Sequence, residues 1–64
     1  MDTIDVIING RQLCIELCET WDYVRDLHSV QAHVVDKAAM QRHIIGRYKT
    51  RDVAERKARE WISK

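Results

Sequence analysis

Asn9-Gly10 lies between Ile4-Asp5-Val6-Ile7-Ile8 and Leu13-Cys14-Ile15-Glu16-Leu17, and no other stretch constrains the backbone as strongly. A two-residue hairpin loop needs positive φ at both central positions, which Asn and Gly tolerate best, and its twist then matches that of the flanking strands. With these two residues as the loop, Ile8 pairs with Arg11, Val6 with Leu13 and Ile4 with Ile15. The apolar positions of both strands then share one face. Opposite lie Asp5, Ile7, Cys14, Glu16 and Cys18, an apolar centre with an acidic rim. A helix capped by Asn9, with Leu13, Leu17, Trp21, Val24 and Leu27 as its stripe, is the competing template. β-branched content and pairing register favour the hairpin.

Beyond Leu17 two templates fit each segment. Residues 19–27 read as a helix capped by Thr20, with Trp21, Val24 and Leu27 on one side, or as a continued strand with Trp21 and Tyr23 on one face; the helical turn is the expectation. In residues 29–40, Val30, Ala32 and Val34 alternate like a strand, while Val30, Val34 and Ala38 recur every four residues like a helix. Ser29 is a good N-cap, and Lys37-Ala38-Ala39-Met40-Gln41 are strong helix formers, so a helix over residues 30–41 is expected.

The last third carries clearer signals. Residues 43–49 alternate, with Ile44, Gly46 and Tyr48 on one face and Ile45, Arg47 and Lys49 on the other. Thr50 then caps a helix over Arg51–Ile62, on which Ala54, Ala58, Trp61 and Ile62 share one side. Both tryptophans, Trp21 and Trp61, are expected in the core. This strand, Gly-Arg-Tyr-Lys-Thr turn and Ala-rich helix resemble the closing β–α unit of small α+β domains, including AP2-type DNA-binding and peptidoglycan-binding SPOR domains, over residues 45–58. The likeness is a packing solution that unrelated families share. The fold expected is therefore α+β: an N-terminal antiparallel hairpin, a third strand, one or two short central helices, and a terminal amphipathic helix packed on the sheet.

Sixty-four residues, read as one small domain over residues 1–64, bury only roughly 60% of the surface that the unfolded chain exposes. So thin a margin makes a homodimer or a larger partner a physical expectation. No apolar run approaches the roughly 18 to 20 residues of a membrane span, and Met1-Asp2-Thr3-Ile4-Asp5 has no basic start of a signal peptide. A cytoplasmic protein with reduced Cys14 and Cys18, and without membrane contact, is expected.

A net charge of +1 conceals a division. Residues 1–40 carry seven acids against three bases, a net of −4, and residues 41–64 carry eight bases against three acids, a net of +5. The two halves can neutralise each other or face different partners. Arg42, Arg47, Lys49 and Arg51 form a basic stripe suited to phosphates or to an acidic protein. On the terminal helix, by contrast, Asp52 precedes Arg56 and Glu55 precedes Arg59 by four, as on a solvated face.

Chemistry-bearing patterns are sparse. Cys14-x₃-Cys18 followed by His28-x₄-His33 has zinc-type ligands, but in a strand residues four apart lie roughly 13 Å from each other, too far for two thiolates on one metal. No nucleophile–histidine–acid arrangement or glycine-rich phosphate loop stands out, so no cofactor, no metal and no catalysis are expected. In size and style the chain resembles the small accessory proteins of phages and mobile elements, including anti-CRISPR-type inhibitors. That resemblance implies stoichiometric occlusion of a larger protein or nucleoprotein complex. The acidic and apolar face formed by Asp5, Ile7, Glu16, Glu19 and Asp22 would meet the partner. The alternative is a small dimeric DNA- or RNA-binding regulator that contacts phosphates through the basic stripe.

Overall fold

The computed structural model describes residues 2–64 as one antiparallel sheet with a helix on one face. Four strands follow one another in sheet order β1-β2-β3-β4: β1 Asp2–Ile8, β2 Arg11–Asp22, β3 Leu27–Asp36 and β4 Gln41–Tyr48. Helix α1, Arg51–Ile62, closes the chain. The first hairpin has the register that its turn dictates, with Ile8 opposite Arg11, Val6 opposite Leu13 and Ile4 opposite Ile15. Asn9 and Gly10 have φ of 51° and 76°, the left-handed pair that a type I′ turn requires.

The central helices expected from sequence do not exist. β2 continues straight through residues 19–22, and residues 30–36 belong to β3. Two physical facts decide against the helices. In β3 the alternating Val30, Ala32 and Val34 are all buried, which uses the period of two and leaves the period of four without a surface to cover. The helix-forming run 37–40 is consumed by a turn, where Met40 takes a φ of 54° and its N–H donates to the Lys37 carbonyl. Asp36 opens this turn: its Oδ1 accepts from the Ala39 N–H at 3.1 Å, and its Oδ2 accepts from Arg11 at 2.9 Å. The last strand starts at Gln41 and ends at Tyr48, earlier at both ends than its alternation suggested.

The core lies between sheet and helix, from Leu13, Ile15, Leu17, Val30, Ala32 and Val34 to Ala54 and Ala58. Both alanines are fully buried, and having only a methyl to place they let the helix axis settle close to the strands. Thr50 caps the helix by accepting from the Val53 N–H at 3.3 Å. A register shift between β3 and β4 at Ala32/His33 leaves Ile45 as an extra residue. Strict alternation therefore fails here: Ile44 is exposed, and Ile45 packs against the core beside Tyr48. Gly46, at φ 157°, follows the shift, and the Tyr48 hydroxyl fills the space where a side chain would stand. Neither tryptophan is in the core. Trp21 is half-exposed near the end of β2, and Trp61, 38% exposed, lies over the His43 ring at 4.8 Å.

Candidate functional site

β2 and β3 are longer than their neighbours. β4 stops opposite Val30, so the pairs Thr20–Ser29, Trp21–His28 and Asp22–Leu27 form a two-stranded ribbon with no third strand beside them. This extension contributes to the molecule's 42 × 20 × 17 Å shape. Cross-strand contacts hold it: the Thr20 and Ser29 hydroxyls bond at 2.7 Å, and the Trp21 and His28 rings lie 5.9 Å apart. At its end Asp22 Oδ1 accepts from the N–H groups of Val24 and Arg25, an Asx turn that spares the tip a glycine. Asp26 supplies the left-handed residue, with φ of 54°.

Exposed apolar side chains stand on and beside this turn: Tyr23 86% and Val24 96% on it, and Trp21 47% and Leu27 56% on the strands that lead into it, on opposite faces of the ribbon by alternation. Scattered singly, such residues mean little, whereas four at one projecting end form a surface suited to burial against another molecule. Glu19, Asp22, Arg25 and Asp26 surround them. Sequence reasoning did not single out Tyr23, Val24 and Leu27, since a helix would have put Val24 and Leu27 on its buried stripe. The signal that could have found them is the pair Asp22 and Asp26 bracketing a short turn, each able to bend the backbone without glycine.

The acidic and apolar face expected from sequence is divided. Asp5, Ile7 and Glu16 lie on the sheet face away from the helix, whereas Asp22 belongs to the ribbon and Glu19 stands at its base, opposite Val30. Ile7 is exposed at the edge, while Glu16 is largely covered by its partners. Arg42 reaches across from β4 to Glu16, and also donates to His33 Nδ1 at 2.9 Å. The opposite ring nitrogen, Nε2, is buried without a hydrogen-bond partner. Glu19 faces His28 at 3.8 Å.

The basic stripe is divided in the same way. Arg42 is committed to Glu16 and His33, and Arg51 to Asp2 at 3.0 Å. Among the described residues Arg47 and Lys49 make no ion pair, and with Arg25 they rim a cleft of about 550 Å³ beside the ribbon. On the helix, Glu55 pairs with Arg59 at 3.1 Å as expected of a solvated face, and Lys57 pairs with Glu60 at 3.7 Å.

Cys14 and Cys18 are both free thiols on β2, the first buried and the second half-buried. Among the described residues no group of three or more His, Cys, Asp or Glu side chains converges on a common point, and no helix is long and apolar enough to cross a membrane. Comparison with family models, curated proteins and solved structures finds no match to this chain. The ribbon end, the adjoining cleft and their charges therefore carry the functional reading.

Proposed function

We propose that this chain is a non-catalytic protein-binding module that engages a larger partner through the end of its β2–β3 ribbon. The observation that carries the reading is the exposure of Tyr23 and Val24, 86% and 96%, on a turn whose backbone is fixed by Asp22. A preorganised apolar tip loses little conformational freedom on binding, so more of its burial appears as affinity. Glu19, Asp22 and Asp26 outnumber Arg25 around the tip, an acidic balance that suits a basic groove, such as one that a nucleic-acid-processing enzyme presents to its substrate. Occupying such a groove would block it without chemistry, the action of a stoichiometric inhibitor.

A nucleic-acid-binding regulator has weaker support, because two of the four cations it would use, Arg42 and Arg51, already have carboxylate partners. Its ribbon would also present acids to a phosphate backbone.

The test compares wild-type protein and a Tyr23→Ser/Val24→Ser variant as immobilised baits in nuclease-treated extract of the source cells. Both side chains are almost wholly exposed, and Tyr23 meets the Trp21 ring edge-on at 6.4 Å outside the core, so the variant is expected to keep its fold. The expected outcome is a protein retained by the wild type and depleted by about tenfold or more on the variant, as for the loss of central contacts. Equal retention by both baits would contradict the reading. Binding of random duplex DNA that weakens steeply with added salt would favour the regulator instead.

A further inference from the structure

Where β4 ends at Tyr48, β3 runs on through residues 27–29 paired with β2 alone, and its other edge opens on the cleft beside the ribbon. Leu27, Tyr48 and Val53 supply its apolar lining, and Arg25, Arg47 and Lys49 supply cations. The single acid there, Asp22, is occupied: Oδ1 accepts from the turn amides and Oδ2 lies 3.8 Å from Arg25. Arg47 and Lys49 have no carboxylate partner among the described residues, in a molecule where most other charges do. An unpaired strand edge beside an apolar cleft and two uncommitted cations is a recognition site for an extended acidic segment.

We infer that this cleft binds an acidic peptide as an added strand along residues 27–29, with alternate carboxylates reaching Arg47 and Lys49. Strand addition matches both backbone donors and acceptors of an edge, and the charges select the sequence. A nucleic acid fits less well. Its phosphates accept hydrogen bonds but donate none, so the backbone carbonyls of the edge would be left without partners. The flanking cations also keep the edge from pairing with another copy's neutral strand, as charged residues do on exposed edges. About 10 Å of edge, at 3.3 Å per residue, supports a transient contact. The inference rests on the ribbon reading and extends it to a second contact on the same partner; the two sites share Leu27, Asp22 and Arg25, and are told apart by Tyr23 and Val24 at the tip and Arg47 and Lys49 at the cleft.

The experiment titrates the labelled protein with a short capped peptide alternating glutamate and valine, followed by backbone amide shifts and fluorescence anisotropy. A lysine–valine peptide of equal length and a short poly-dT strand are titrated in parallel. The expected result is saturable binding of the acidic peptide alone, with the largest shifts at residues 27–29 and 47–49. Arg47→Glu/Lys49→Glu should weaken it by about tenfold or more, and both side chains are exposed and unpaired, so this variant keeps the fold. Tyr23→Ser/Val24→Ser should bind the peptide as the wild type does, which separates failure at the cleft from failure at the tip. Absence of shifts at residues 27–29, tighter binding of poly-dT, or full binding by the charge-reversed variant would each overturn the inference.

Discussion

Asp36 joins three parts of the chain through one carboxylate: the start of β2 through Arg11, the end of β3, and the following turn through the Ala39 N–H. The Arg11 hydrogen bond, foremost, and the Ala39 amide hold its pKa below the ordinary carboxylate value. A carboxylate whose folded-state pKa is depressed contributes stability above its unfolded value and loses it as pH falls through the folded value. Asp36→Asn is therefore expected to lower the melting temperature at neutral pH. The gap from wild type should close progressively in acid, below the usual carboxylate range, when both proteins are melted across a pH series. Gly46 is constrained differently, by a φ of 157° and by the Tyr48 hydroxyl 2.9 Å from where a Cβ would stand. The tyrosine ring end can shift, but the backbone conformation cannot be relieved. Gly46→Ala is expected to cost about 1–3 kcal/mol, read as a lower urea midpoint with unchanged slope.

At the scale of elements, the sheet and the ribbon differ in what supports them. Residues 13–17 and 32–34 sit in central strands beneath the helix, whereas the end of the ribbon is two strands with solvent around them. A two-stranded hairpin is marginal by itself. Amides of residues 20–29 are therefore expected to exchange with deuterium about tenfold or more faster than those of residues 13–17; uniform protection would contradict this division. The two best-supported elements were legible in the sequence because their signals were local. Asn9-Gly10 sets the first turn, and Thr50 with the spacing of Ala54 and Ala58 sets the helix. Residues 19–42 were not, because Val30, Val34 and Ala38 satisfy both periods, and only the tertiary arrangement says which face is buried. The Ala32/His33 register shift, which exchanges the roles of Ile44 and Ile45, has no sequence signal beyond Gly46. The candidate site was legible in part. Glu19 and Asp22 were read as part of a face with Asp5, Ile7 and Glu16 that the fold divides, and Val24 and Leu27 were placed on the stripe of a helix that did not form.

Across the whole molecule, the buried core and the proposed recognition surface occupy different places. The helix covers β2, β3 and β4, and the buried side chains gather beneath it, while the exposed aromatic and aliphatic residues of the ribbon contribute little to that core. The charge asymmetry between the two halves of the chain is partly resolved within the fold, where Glu16 meets Arg42 and Asp2 meets Arg51. Exposed pairs of this kind contribute about 0–1 kcal/mol each, so their larger effect is to decide which charges remain free for a partner. Among the described residues, Asp26 at the tip and Arg47 and Lys49 beside the cleft belong to the charges left without an ion-pair partner. Site-specific photocrosslinking tests the central claim most directly, with p-benzoylphenylalanine placed at position 23 and, as a control, at position 56 on the solvated helix face. The account predicts a discrete protein adduct in source-cell extract from position 23 and none from position 56. An adduct from position 56 with none from position 23 would contradict it.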